Sequence, residues 1–245
     1  MNADFITVLW KEWKEIVLER SSGGGSYRPL ILIGIIGILI PFRMSPERYF
    51  RPEQLLLPVF LSAFVITAVI ADSFAGERER HTLETLLASR LSDRAILFGK
   101  IAASMAYGWV LSICCIVAGS ITVNVVNWHG ELLTYHDAAS WIIILLGPPL
   151  LGAAIASVGV LVSLHATTVR QAQQTLAVGI MVLFLGVTFG SNALPVDWKA
   201  WFARILFTWS MADLVLAGAG VILVIDLALL LAGMARFQRA KLVLD

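Results

Sequence analysis

Residues 101–126 read IAASMAYGWVLSICCIVAGSITVNVV, a run without one Asp, Glu, Lys or Arg. A helix rises about 1.5 Å per residue, so about 20 apolar residues cross the hydrocarbon core of a bilayer, and this run is longer than that. It is one of several in a chain of 245 residues, of which 58% are apolar and 14% charged. Soluble domains hold roughly 45–50% apolar residues. The chain therefore reads as an integral, all-α membrane protein. Other apolar runs lie at 30–42, 55–71, 141–164, 176–189 and 214–235. Six spanning helices are expected. The first and fifth runs are short and must borrow flanking residues such as 27–29 and 172–175, or thin the bilayer locally.

Eighteen Lys and Arg against seventeen Asp and Glu leave a net charge of +1, which gives no reason to expect nucleic acid. The distribution of the basic residues is more informative, because Lys and Arg are retained on the cytoplasmic side. With the N-terminus inside, Lys11, Lys14, Arg20, Arg28, Arg78, Arg80, Arg90, Arg94, Lys100, Arg170, Arg236, Arg239 and Lys241 are cytoplasmic, thirteen of the eighteen. Arg43, Arg48, Arg51, Lys199 and Arg204 fall outside, the first three against the trend. Both termini are expected in the cytoplasm.

The chain divides into an N-terminal helix (1–20), a hinge SSGGGS (21–26), a six-span bundle (27–235) and a tail (236–245), all one transmembrane domain. In the first segment Phe5, Leu9, Trp13, Ile16 and Val17 recur at helical spacing. Lys11, Glu12, Lys14, Glu15 and Glu19 lie largely on the other side, the pattern of a helix lying in the membrane interface. It either anchors the protein or relays a partner's movement. No apolar stretch with a small-residue cleavage site follows Met1, so no cleavable signal peptide is expected. Residues 191–211 carry Trp198, Trp201, Phe202, Phe207 and Trp209, which fits short re-entrant or interfacial helices on the outer face or a simple aromatic belt. His129, Glu131, His136 and Asp137 share the third loop without metal-ligand spacing and read as solvated. Cys114 and Cys115 are adjacent within a span and read as packing residues. Small residues four apart, including Gly152 with Ala156 and Gly159 with Ser163, permit close helix approach in lipid.

Between the second and third spans stands ADSFAGERERHTLETLLASRLSDRAILFGK, residues 71–100. Leu83, Leu86, Leu87 and Leu91 recur at helical spacing, with Glu77, Arg78, Glu79, Arg80, Glu84 and Arg90 around them. That pattern predicts a short amphipathic helix parallel to the membrane, its apolar stripe free for the bundle or for a partner's groove. Ser92 or Asp93 is placed to cap the third spanning helix near Ala95. Enzymatic motifs are absent. Gly99-Lys100 lacks the upstream glycine and following hydroxyl of a phosphate loop, so the chain itself is not expected to hydrolyse ATP.

The run Ala71-Asp72-Ser73, Gly76-Glu77-Arg78-Glu79, Thr82-Leu83-Glu84-Thr85-Leu86-Leu87 and Gly99-Lys100 resembles the signature of the ABC type-2 exporter permeases. The interfacial N-terminal helix, six spans and aromatic outer loop extend the resemblance over the chain. It implies that this segment contains a coupling helix seated in a groove of a separate cytoplasmic ATPase. Glu77, Arg78, Glu79, Thr82, Leu83, Leu86 and Leu87 would be the coupling residues. It further implies an exporter of two ATPases and two permeases, either a homodimer or a pair with a related paralogue, in a prokaryotic plasma membrane. ATP and Mg would be bound by the partner, with no cofactor held by this chain. From another class, a non-transporting scaffold that recruits a cytosolic protein through the same loop would carry similar charges.

Asp226 stands mid-way along the last run, VILVIDLALLLAG. A carboxylate at that depth costs about 2.5–3.5 kcal/mol on insertion scales, so it should face the bundle, a second subunit or water, as a pathway residue or dimer contact. The nearly uniform apolar character of the spans favours a lipidic or amphipathic cargo over an ion or a long sugar chain, although walls of that kind also serve for peptides and drugs, so the substrate itself is not read from the sequence.

Overall fold

A computed structural model describes residues 2–19, 27–82, 88–128, 130–193 and 195–236. Among these every regular element is helical. The N-terminal helix α1 (Asn2–Lys14) continues as a wider π-turn over Glu15–Glu19. A second helix, α2, covers 27–42 and is itself π-helical over Ile33–Leu39. After a short helix α3 (Pro46–Tyr49) and a 3₁₀ turn (Pro52–Leu55) come α4 (Leu56–Glu79), α5 (Asp93–Val126), α6 (Ala138–His165), α7 (Val169–Ala193), α8 (Val196–Thr208) and α9 (Met211–Arg236).

Among the described residues four helices are long and apolar enough to cross a membrane: α4 with its preceding turn, α5, α6 and α9. Residues Pro29–Phe42 form a shorter apolar helix. Helix α7 has the length, but its first turns carry Arg170, Gln171, Gln173 and Gln174.

Helix α4 is the hub, packed against α5, α6 and α7, while α9 leans on α6 and α1 lies across α5. Among the described residues a small apolar cluster joins Ile16 of the π-turn to Val69 and Ala103, and the two largest lie at opposite ends of the bundle. One, toward the C-terminal end of α4, joins Ile66, Ile70, Phe74, Ile96, Leu97, Val160 and Leu164. The other gathers Tyr49, Leu55, Val59, Ile116, Val123, Tyr135 and Ile143 at the opposite end. There the Tyr49 hydroxyl donates to the Ile116 carbonyl at 3.0 Å, and Asn124 exchanges two hydrogen bonds with the Leu133 backbone at 2.7 and 2.9 Å.

The small residues singled out in α6 do what their spacing implies. A methyl group on Gly152 would stand 2.8 Å from Ile66 Cδ1, and one on Gly159 would strike Ile70 Cγ2. Ser163, one turn further, donates to the Ala71 carbonyl at 3.0 Å and accepts from the Ala75 amide at 2.9 Å. Its hydroxyl thus bridges an amide and a carbonyl four residues apart in α4, so the two backbones approach closely without leaving a polar group unpaired. Gly159→Ala should therefore destabilise the bundle by about 1–3 kcal/mol, the usual cost of overpacking. Thermal melting in detergent is the check, and Ile70→Ala should cost less in that variant than it does in the parent, because the two side chains compete for the same space.

Candidate functional site

The charged motif of the second span lies in the last turn of α4. Successive residues of a helix point about 100° apart, so three consecutive charges at a helix end reach three different neighbours. Glu77 turns toward α5, where Lys100 Nζ donates to its Oε1 at 2.9 Å. Arg78 reaches α6, its two terminal nitrogens donating to the carbonyls of Ala166 and Leu164 at 2.7 and 2.8 Å. Those carbonyls belong to the C-terminal end of α6, where helical partners run out and a cation is favoured. Glu79 Oε1 accepts the Val169 amide at 3.0 Å, the first residue of α7 and so an otherwise orphan donor. Arg80 folds back on Asp72 of its own helix at 3.3 Å, an exposed pair worth little by itself.

Lys100 is the centre of the junction. Its side chain has no exposed surface, and Nζ donates to Glu12 Oε1 (2.8 Å), Glu77 Oε1 (2.9 Å) and the Ser73 carbonyl (2.9 Å), while lying 5.2 Å from the centre of the Phe74 ring. A buried ammonium needs its donors satisfied and its charge matched, and this arrangement does both. Lys11 closes the cluster from the rim, 3.1 Å from Glu15, 3.4 Å from Glu77 and 3.5 Å from Glu12. Partial burial pulls the Lys11 ammonium down from its ordinary range, but Glu12, the Glu15 hydrogen bond and Glu77 more than offset that and hold it above.

Helix α4 ends just beyond in a complete C-terminal cap. The Thr82 amide donates to the Glu77 carbonyl at 2.9 Å and the His81 amide to the Arg78 carbonyl at 3.1 Å, with His81 in the left-handed region at φ 57°. The Thr82 hydroxyl also donates to the Glu77 carbonyl. This cap sets the direction in which the chain leaves for 83–87.

Glu77, Arg78, Glu79 and Thr82 are thus gathered at one junction, although Glu77 is turned inward and buried. Leu83, Leu86 and Leu87 lie outside the described residues. Asp226 is elsewhere, half-way along α9 and buried, both carboxylate oxygens without a partner among the described residues. The expected cap on α5 is present: Ser92 Oγ accepts from the Ala95 amide at 3.3 Å.

Glu12 is the residue the helical pattern misplaced. Expected on the solvent side of α1, it lies on the inward face with Val8 and Ile16, four residues to either side, while Ile6, Trp10 and Val17 are exposed. The signal available was that 4-4 spacing. The charge itself concealed it.

A family model described as ABC-2 type transporter matches residues 3–219. The chain belongs to that family. No curated protein and no solved structure matches it. As an ABC-2 permease it is a multi-pass integral membrane component of a transporter. The match takes in the whole junction, from α1 to the start of α7.

Two substitutions report on this ABC-2 junction. His81→Gly should stabilise the permease by about 1 kcal/mol, because the left-handed conformation costs a side-chain-bearing residue about that much and glycine nothing. Arg78→Ala should cost about 1.5–3 kcal/mol, and Arg78→Lys should restore little, since a single ammonium cannot reproduce the two-pronged fork. Chemical denaturation of the purified protein measures both.

Proposed function

We propose that this ABC-2 permease exports its cargo by alternating access, driven by a separate cytoplasmic ATPase that docks on the segment following α4. The observation that carries the reading is the fan of Glu77, Arg78 and Glu79, which ties the helix entering that segment to α5, α6 and α7 together. A push on residues 82–91 then reaches four long helices through short, directional, charge-assisted contacts instead of being absorbed in one of them. Leu83, Leu86 and Leu87 supply the apolar purchase on the partner, and Thr82 with the cap at His81 fixes the angle at which the segment is presented.

In this reading the charged end of the bundle faces the cytoplasm, as do both termini, in a prokaryotic plasma membrane. Residues 27–42 and helix α7 complete six crossings, and α8, with exposed Trp198 and Trp201, rests in the outer interface. Two permeases, alike or related, flank the pathway, and ATP and Mg bind to the partner. The cargo is lipidic or amphipathic, in keeping with the apolar walls. Asp226 faces inward along α9, which favours a pathway residue over a contact to a second permease.

The test is co-purification of the permease with its ATPase, followed by ATP turnover in lipid. Leu83→Ser with Leu86→Ser should leave membrane insertion intact yet lower permease-dependent turnover by about tenfold, the equivalent of one lost apolar anchor. Wild-type permease that retains no nucleotide-hydrolysing partner would overturn the proposal.

A further inference from the structure

Across the six apolar runs of the sequence Asp226 is the only Asp, Glu, Lys or Arg. It is buried on the inward face of α9, and neither carboxylate oxygen has a hydrogen-bond partner among the described residues. Such a group is costly and calls for a partner from elsewhere. Helix α6, on which α9 chiefly packs, offers no Lys or Arg, and its one histidine, His165, is its last residue and is bonded to the Leu161 carbonyl. What α6 supplies is a second buried group without a partner among the described residues, the Ser157 hydroxyl. The two helices run in the same direction: Ile144 and Val215 pack on the cluster around Tyr49, Val160 and Leu230 in the cluster around Phe74. At equal rise Asp226 stands level with roughly residues 155–160 of α6, and Ser157 is the one polar side chain among them. Gly159 and Ser163 face α4. Ser157 lies about 120–160° round the helix from them, so another helix covers it, and after α4 it is α9 that packs most extensively on α6.

The Lys100 site shows what such a set of oxygens holds. There three acceptors, from Glu12, Glu77 and the Ser73 carbonyl, satisfy one buried ammonium. Asp226 Oδ1, Asp226 Oδ2 and Ser157 Oγ are again three acceptors, with a single negative charge to match a single positive one. They are too few for a hard metal ion such as calcium, which takes about six to eight oxygens. The neighbouring inward positions of both helices are apolar, among them Ala156, Val160, Ile222 and Leu229. Val158 and Ile225, adjacent in sequence to Ser157 and Asp226, are exposed, so the flank of the seam borders the lipid. We infer that Asp226 and Ser157 form a binding site for the primary ammonium group of an amphiphile, which enters sideways from the bilayer between α6 and α9 and leaves its hydrocarbon chain among apolar side chains. The carboxylate supplies a charge-assisted hydrogen bond and the hydroxyl orients a further N–H. This rests on the export reading above and narrows its cargo to a cationic amphiphile, but the site itself is testable in the permease alone.

The first measurement is binding to the isolated permease in phosphatidylcholine nanodiscs, with two probes of equal chain length, dodecylamine and dodecanol. Dodecylamine should bind about tenfold more tightly, the worth of one hydrogen bond to a charged group. Asp226→Asn is neutral and nearly the same shape, so it keeps the fold and should erase that preference, while Ser157→Ala should lower it about threefold. Equal binding of the two probes to the parent, or a preference that survives Asp226→Asn, would overturn the site whether or not an ATPase exists. The second measurement uses the complex with the ATPase. Dodecylamine should raise permease-dependent ATP turnover in the parent and leave it unchanged with Asp226→Asn. Selective binding without any such stimulation would overturn the cargo role and leave the coupling role of residues 82–91 standing.

Discussion

A lysine whose side chain has no exposed surface is the constraint on which the charged end of the molecule depends. An unpaired ammonium in such a place costs several kcal/mol, so the fold must bring carboxylates to it. They come from two directions, Glu12 eighty-eight residues earlier and Glu77 twenty-three residues earlier in the chain. Much of the local architecture follows. Gly99 is small so that α1 can cross closely enough to deliver Glu12. Phe74 lays its ring beside the ammonium, and the Ser73 carbonyl takes its third proton. Removal of Lys100 would leave two buried carboxylates without it, whereas removal of either carboxylate leaves Lys100 paired with the other.

The same end shows how a helix terminus can be used as a distribution point. A helix that stops leaves unsatisfied carbonyls, and one that begins leaves unsatisfied amides. Arg78 and Glu79 are matched to those two needs: the guanidinium takes carbonyls where α6 ends and the carboxylate takes an amide where α7 begins. The turn between α6 and α7 is thereby held by α4 and not by its own residues alone. Ser163 adds a further contact one to two turns back, where only a hydroxyl at the approach of two backbones can serve both an amide and a carbonyl.

Much of this was legible in the sequence, and the exceptions have physical causes. Long apolar runs announced α4, α5, α6 and α9, the last interrupted by Asp226 alone, and Ser92 announced its cap, because apolar length and cap chemistry are local properties. The four-apart small residues of α6 announced a close neighbour without saying which. Glu77, Arg78 and Glu79 stood out as a motif, yet read as surface charges around a leucine stripe, since a sequence does not reveal that a carboxylate has a lysine to be buried with. Glu12 was assigned to solvent for the same reason. The left-handed His81 was hidden because that conformation is usually marked by glycine, and here backbone hydrogen bonds to Glu77 and Arg78 impose it on another residue.

Asp226 presents the opposite case, a charge-bearing group with no partner among the described residues. Ala212, Val215, Ala219, Ile222, Asp226, Leu229 and Gly233, spaced alternately three and four residues apart, lie along the inward face of α9 together with Leu214, Leu230 and Met234, and α6 is the helix against which α9 chiefly packs. Helix α6 contains no Asp, Glu, Lys or Arg, and His165 at its end is occupied with the Leu161 carbonyl at 2.8 Å. Leu230 and Met234 on this face pack on the main apolar cluster and add to the hold of α9 on the bundle. Leucine at position 226 would strengthen such a contact, whereas a carboxyl group there weakens it at its midpoint. Glu77 is buried with its counter-charge, Lys100. Asp226 is buried with no such partner among the described residues.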